Sequence, residues 1–207
     1  MNISTVSFYM TVYNGLPFVR QSVKSMQEQT HTDWEAVIVD DGSTDETVKY
    51  LQQIKQEDSR FKIYSLDKIG RGAALNYAVK KANGIFLCNL DADDLAHPNR
   101  LEYQLKLMEN YKLDLLCSAA HVIKGSNPLE PLFEEVSYDN SIIDITHKIC
   151  RKNPIIHSST IVRRDVLEKV DGYKESQKSQ LDYELWIRIV AAGYKLYKTN
   201  MKLSVKR

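Results

Sequence analysis

The chain has 207 residues, enough for one hydrophobic core and short for two. Its hydrophobic share is 43% and its formal net charge is +1, so no overall field points to nucleic acid or an acidic polymer. The three cysteines, Cys88, Cys117 and Cys150, are odd in number and widely spaced, which argues against a disulfide framework or zinc site and reads as buried, inert thiols in a reducing compartment.

In chain order, Val6-Ser7-Phe8-Tyr9-Met10 is a strand, followed after Asn14-Gly15 by a helix carrying Val19, Val23 and Met26 on one face. Ala36-Val37-Ile38-Val39 is a short β-rich run of the kind buried in a parallel sheet. It ends in DDGSTDE, where Ser43 and Glu46 have capping-box spacing before a helix through Val48, Leu51 and Ile54. Phe61–Tyr64 alternates as a third strand. The helix after Gly70-Arg71-Gly72 carries Ala74, Leu75, Ala78, Val79 and Ala82 and stops at Asn83-Gly84. Ile85–Cys88 is a fourth strand, and Pro98 stands near the start of a helix with Leu101, Leu105 and Met108. Beyond Leu113 the pattern loosens. Leu115–Val122 and Ser158–Val162 read as strands, Gly125–Pro131 as turn-rich, and Leu181, Leu185 and Ile189 as a late helix ended by Gly193. The tail from Lys195 carries Lys195, Lys198, Lys202, Lys206 and Arg207, read as scattered solvated charges or a weak contact with anionic lipid.

Repeated strand–helix units predict an α/β domain: a Rossmann-like, mostly parallel central sheet flanked by helices. Ligands then bind at the carboxyl ends of the strands. Asp40-Asp41 and Asp91-Ala92-Asp93-Asp94 both follow strands, so they converge on one edge. Three carboxylates within four residues repel one another unless a cation relieves them. Two of them, Asp91 and Asp93, suit a hard cation that keeps room for phosphate and water; the plain alternative is a solvated acidic turn. Similar pairs of readings hold elsewhere. Asp40-Asp41-Gly42-Ser43 is an N-cap turn, a ligand contact, or both. Arg71 is a surface arginine or reaches a phosphate or base. Asp182 is a first-turn acid favoured by the helix dipole or a general base. Gly70-Arg71-Gly72 lacks the spacing of a dinucleotide fingerprint, and His157-Ser158-Ser159 lacks the elbow of a serine hydrolase.

Together these stretches resemble the family 2 glycosyltransferases of the GT-A fold. The match runs in order through Met10–Asn14, Val37–Asp45, Gly70–Asn76, Leu90–Asp94 with Pro98–Leu101, and His157–Ser159 through Arg164 to Asp182–Trp186, nearly the whole chain. The resemblance implies a single GT-A domain over 1–207, with a nucleotide-binding half over about 1–112 and an acceptor and catalytic-base half over about 113–207. It implies an inverting, metal-assisted transferase that moves a hexosyl or N-acetylhexosaminyl group from a nucleotide-sugar, UDP-sugar first, to an acceptor hydroxyl. By the same likeness Thr11, Tyr13, Asn14, Asp41, Arg71, Asp91 and Ala92 line the nucleotide site. Asp91 and Asp93 form the DxD motif for Mn2+ or Mg2+, and Asp182 is the base. The acceptor would be a saccharide or lipid-linked saccharide of polysaccharide biosynthesis, met by Ile123–Pro154, with no nucleic-acid partner. The alternative is a nucleotide-binding pseudoenzyme of the same fold. A phosphatase is disfavoured, because neither Asp40-Asp41-Gly42 nor Asp91-Ala92-Asp93-Asp94 has the required Asp-x-Asp-Gly-Thr order.

Three positions depart from the family pattern. Leu181 stands where an acidic residue often precedes the base. Met10-Thr11-Val12 lacks a common proline. The chain stops at Arg207, where many members continue into an Arg-x-His segment, which implies truncation or fewer protein ligands for the metal. No apolar run approaches the roughly 20 residues that cross a bilayer. The opening MNISTVSFYMTVYN lacks the basic region and long apolar core of a signal peptide. A cytoplasmic protein is expected, with peripheral contact at the inner membrane face as an option.

Overall fold

A computed structural model describes residues 5–123 and 133–207. The turn expected over Gly125–Pro131 lies outside the described residues. The first half alternates as its sequence pattern requires: β1 (Val6–Val12), α1 (Phe18–Gln27), β2 (Trp34–Asp41), α2 (Thr47–Glu57), β3 (Phe61–Leu66), α3 (Arg71–Lys81), β4 (Phe86–Asn89), a two-residue β5 (Leu95–Ala96) and α4 (Arg100–Tyr111). The second half holds β6 (Leu115–Val122), β7 (Ile143–Asp144), β8 (Thr160–Arg163), α5 (Arg164–Lys169), α6 (Leu181–Ala191) and β9 (Leu196–Lys206). Short 3-10 turns lie at Thr146–Cys150 and His157–Ser159.

Among the described residues the strands form one mixed sheet in the order β3-β2-β1-β4-β8-β6-β9-β5, with β7 paired to β9. β3, β2, β1 and β4 are mutually parallel. β8 enters antiparallel to both β4 and β6, and β9 runs parallel to β6. Strand alternation divides the core between the two faces. Phe8, Met10, Trp34 and Ile38 pack with Val23 of α1, Leu51 of α2 and Leu105 of α4. Tyr9, Val37 and Val39 face the other way, against Leu75 of α3, Val166 of α5 and Trp186 of α6. No helix among the described residues is long and apolar enough to cross a membrane.

The structure corrects several local expectations. Ser43 does not cap α2: its Oγ accepts from Asn14 N–H at 2.8 Å, and the Asp45 carboxylate takes Thr47 N–H at 3.0 Å. Tying two loops together has displaced the capping box. Ser158 and Ser159 sit in a 3-10 turn, so the strand expected from Ser158 starts at Thr160. Cys88 and Cys117 are buried, and burial pushes both thiols up to about 12, but Cys150 is exposed. The lysine-bearing tail is the long strand β9, with Leu196, Met201, Leu203 and Val205 buried and Lys202 and Lys206 turned outward.

The turn from α3 into β4 is built by close approach. Gly84 N–H donates to Ser7 Oγ at 2.7 Å, and Ser7 Oγ–H donates to buried Glu35 at 2.7 Å. A Cβ on Gly84 would stand 2.5 Å from Ser7 N and 2.6 Å from the Val6 carbonyl carbon. Because those atoms belong to β1, the strand itself would have to move. Gly84→Ala is expected to cost about 1–3 kcal/mol, read as a lower urea midpoint at unchanged m-value. An unchanged midpoint would show that the β1 edge yields freely.

Candidate active site

The parallel register of β1, β2 and β4 brings their carboxyl ends to one edge. A cavity of about 550 Å³ opens there, lined by Thr11, Tyr13, Asn14, Asp41, Arg71, Asp91, Ala92 and Asp93. These are all the positions that the resemblance assigned to nucleotide and metal. A second cavity, of about 830 Å³, contains Asp182, His157 and Asn153. Arg71, Asp91, Asp94 and Lys206 line both, so they form the wall between them.

Local bonds show how each side chain arrives. Asn14 adopts φ 49°, a conformation asparagine tolerates, and its Oδ1 accepts from Thr44 N–H at 2.8 Å, joining the β1 and β2 loops. Tyr13 is exposed in the cavity, with Lys68 Nζ 3.7 Å from its ring centroid. Asp41 is buried, and its carboxylate accepts from Ile69 N–H at 2.7 Å and from Gly70 N–H at 3.1 Å. It therefore builds the loop that launches Arg71 at the start of α3. Arg71 reaches back to Asp91, 2.9 Å from Nη2 to Oδ1.

The three carboxylates after β4 occupy three different environments. Burial alone would raise the pKa of Asp91, but His157, with Nδ1 3.4 Å from Oδ1, and Arg71 outweigh burial and hold it far below the ordinary carboxylate range. Asp94 is buried, and that burial pushes it up to about 6, against hydrogen bonds from Ser158 and from Arg207 N–H at 2.9 Å. Asp93 opens to solvent at the cleft mouth. Surrounding protein still strips enough water to raise its pKa, and the charge of Asp91 raises it further.

That pattern fits a hard cation. A positive ion beside Asp93 would relieve both the lost hydration and the like charge. No group of three or more His, Cys, Asp or Glu among the described residues forms a ready-made metal cage. One or two carboxylates plus substrate phosphates are, however, the usual way Mg2+ is held.

Asp182 sits in the first turn of α6, half-buried, and its Oδ2 accepts from Asn153 Nδ2 at 2.7 Å. Ser22 escaped the sequence reading, Ser158 entered it only inside the matched His157–Ser159 stretch, and Arg207 only as a tail charge. Ser22 Oγ of α1 lies 2.8 Å from Ala92 O and 2.7 Å from Asp94 O, and so pins the acidic loop. Ser158 Oγ accepts Asp91 N–H at 3.0 Å. Arg207 Nη1 donates to Asp93 O at 2.7 Å. A lone serine on α1 and an arginine just past β9 carry no pattern. Their only signal is position beside motifs that the fold brings together.

An aspartate-rich loop at the end of a parallel strand, beside a nucleotide-sized cleft in this mixed sheet, defines a glycosyltransferase of GT-A type. The chain belongs to glycosyl transferase family 2, whose model matches residues 7–171. It is similar to the O-antigen biosynthesis glycosyltransferase WbnJ of Escherichia coli, at 31% identity over 189 residues covering 91% of this chain and 72% of that protein. TarS 1–349 of S. aureus, in complex with UDP-GlcNAc, shares the fold with TM-score 0.78 at 21% identity, covering 98% of this chain and 58% of that one. Mannosyltransferase PcManGT of Pyrobaculum calidifontis, in complex with GDP-Man and Mn2+, gives TM-score 0.74 at 18% identity, covering 98% and 56%.

The raised pKa of Asp94 has a consequence for stability. Its folded value near 6 lies above the unfolded value of 3.8, so the folded state binds the extra proton. The stabilisation is complete below about pH 4 and is lost as pH rises through about 6. At about 1.4 kcal/mol per unit, the loss is roughly 3 kcal/mol. Urea titrations in metal-free buffer are expected to show this slope in the wild type and to lose it in Asp94→Asn. Equal slopes in the two proteins would refute the assignment.

Proposed function

We propose that this chain transfers a glycosyl group from a nucleotide-sugar, UDP-sugar first, to an acceptor hydroxyl with inversion at the anomeric carbon. One observation carries the reading. The cavity holding the predicted nucleotide residues and the cavity holding Asp182 share a wall built on Arg71 and Asp91. The donor lies in the smaller cavity, its base against the Tyr13 ring and the Asp41 loop, its diphosphate towards Arg71 and the acidic loop. The acceptor enters the larger cavity. Asp182 takes the hydroxyl proton while that oxygen bonds to the anomeric carbon, and the bond to the diphosphate breaks on the opposite side. Asn153 orients the Asp182 carboxylate for this task. Arg71 stabilises the departing negative charge, and fixing both partners in line contributes through orientation. Mn2+ or Mg2+ bound at Asp93, with Asp91 beside it, would supply further charge stabilisation of the leaving group.

The two solved neighbours carry different bases, so UDP and GDP are compared directly. A cytoplasmic nucleotide-sugar supply and a saccharide or lipid-linked saccharide acceptor follow from this reading, consistent with the O-antigen role in WbnJ's name.

Calorimetry is expected to show UDP binding that strengthens with Mn2+ and weakens at least tenfold in Asp93→Asn. Failure of the wild type to bind UDP or GDP, with or without Mn2+, would refute the donor site. Asp182→Asn separates binding from chemistry. It should leave UDP affinity within about twofold while lowering transfer by about 10²–10⁴-fold, the usual worth of a general base. Full transfer by that variant would remove Asp182 from the role.

A further inference from the structure

Behind the acidic loop runs a line of close polar contacts, buried from His157 inward. His157 Nδ1 lies 3.4 Å from Asp91 Oδ1, His157 Nε2 lies 2.6 Å from Tyr173 Oη, and Tyr173 Oη lies 2.7 Å from Tyr9 Oη. Tyr9 and Tyr173 are fully enclosed and His157 is nearly so. The imidazole is wedged between the rings of Tyr173 and Trp186, at centroid distances of 5.7 and 6.0 Å.

The protons along this line can be counted. Burial raises both phenols well above their ordinary value, so each keeps its proton. Ionised Asp91 can only accept. If His157 carries its proton on Nδ1, it faces Asp91. Tyr173 then donates to Nε2, Tyr9 donates to Tyr173, and every buried donor has an acceptor. A proton on Nε2 turns the line round and leaves the Tyr9 hydroxyl proton without an acceptor among the described contacts, a costly arrangement in a buried site.

Tyr173 is held where this ordering needs it. Asn76 of α3 accepts from Tyr173 N–H at 2.7 Å and donates to Tyr173 O at 2.8 Å. Gly172 has φ +60°, and a Cβ there would meet Asn76 Oδ1 at 2.5 Å. Arg188 of α6 holds the same turn, donating to Gly172 O at 2.6 Å while paired with Glu184 at 2.8 Å. Such effort spent on one turn is explained if its tyrosine has a task.

We propose that Tyr173, with Tyr9 behind it, is a positioning residue that fixes His157 with Nδ1–H towards Asp91 and so sets the carboxylate's orientation in the wall between the cavities. The catalytic meaning rests on the donor site proposed above; the ring assignment does not. A second neighbour that fixes the tautomer of a histidine is a common way of orienting the group beyond it.

The test is nitrogen NMR on the full chain with 15N-histidine, the His157 signals being assigned through His157→Gln. The wild type should show the proton on Nδ1 and an Nε2 shift typical of a strong acceptor. In Tyr173→Phe, the Nε2 signal should move towards that of an unbonded ring nitrogen. The other four histidines report that the fold is kept. The affinity for UDP with Mn2+ should fall about three- to tenfold. If Tyr173→Phe does not fold, Tyr9→Phe removes only the outer donor and should shift Nε2 by a smaller amount in the same direction. A proton on Nε2 in the wild type overturns the proposal. So does an unmoved His157 signal in the variant that folds, or a moved signal with unchanged UDP affinity. Absence of UDP binding by the wild type with the expected His157 spectrum overturns the donor reading and supports the ring assignment.

Discussion

Asp91 is the group on which the rest of the site depends. It follows the buried strand β4 by two residues, where lost hydration would favour its neutral form. Arg71 from the start of α3 and His157 from the turn before β8 keep it ionised instead. Those partners lie in opposite halves of the sequence, so one carboxylate fastens the two halves across the cleft. A half-buried charge held this way gives geometry more than stability: removing either partner leaves a poorly hydrated charge behind.

The same loop shows how three neighbouring carboxylates coexist. Asp91 is neutralised by cationic and polar partners. Asp94 turns inward, where its raised pKa and its bond to Arg207 N–H make it part of the scaffold. Asp93 is left at the mouth with its repulsion unrelieved. The cluster is therefore a division of roles: Asp91 and Asp94 are held by protein partners, and Asp93 is the most exposed of the three. Ser22 and Ser158 make this possible by fixing the backbone from two sides.

The first half of the fold was legible because each helix there carries one apolar face and each strand ends in a turn signal. Val19, Val23 and Met26, or Leu101, Leu105 and Met108, point to the core as spacing requires. The convergence of Asp41 with Asp91–Asp94 was legible for a related reason: parallel strands deliver their carboxyl ends to one edge, whereas roles for Thr11, Tyr13, Asn14 and Asp182 came from the resemblance alone. β9 was obscured because its register against β6 shifts around Ala119, which breaks the simple alternation of Leu196, Met201, Leu203 and Val205 among lysines. Ser43 and Glu46 have the spacing of a cap, yet tertiary bonding to Asn14 claims the serine. The line from Asp91 to Tyr9 joins residues up to 164 positions apart, and no local pattern encodes such a contact.

The mixed character of the sheet is what allows the two halves to meet. Loops after β1, β2 and β4 lie at the carboxyl edge because those strands are parallel. A further parallel strand would contribute its following loop to that edge and send its preceding residues to the far side. β8 runs the other way, so the residues before it, His157 to Ser159, arrive beside the end of β4. Arg100 secures that junction. Its guanidinium is fully buried, donating from Nη2 to Asn89 O at 3.1 Å and to Thr160 O at 2.9 Å. Its Nε bonds Gln104 at 3.0 Å, and Gln104 Nε2 donates to Ser159 O at 2.8 Å. One side chain thus ties the last residue of β4 to the first of β8. The Asp91–His157 contact lies two residues beyond one tie and three before the other. Reversing a single strand places a histidine opposite an aspartate, and a buried arginine keeps it there.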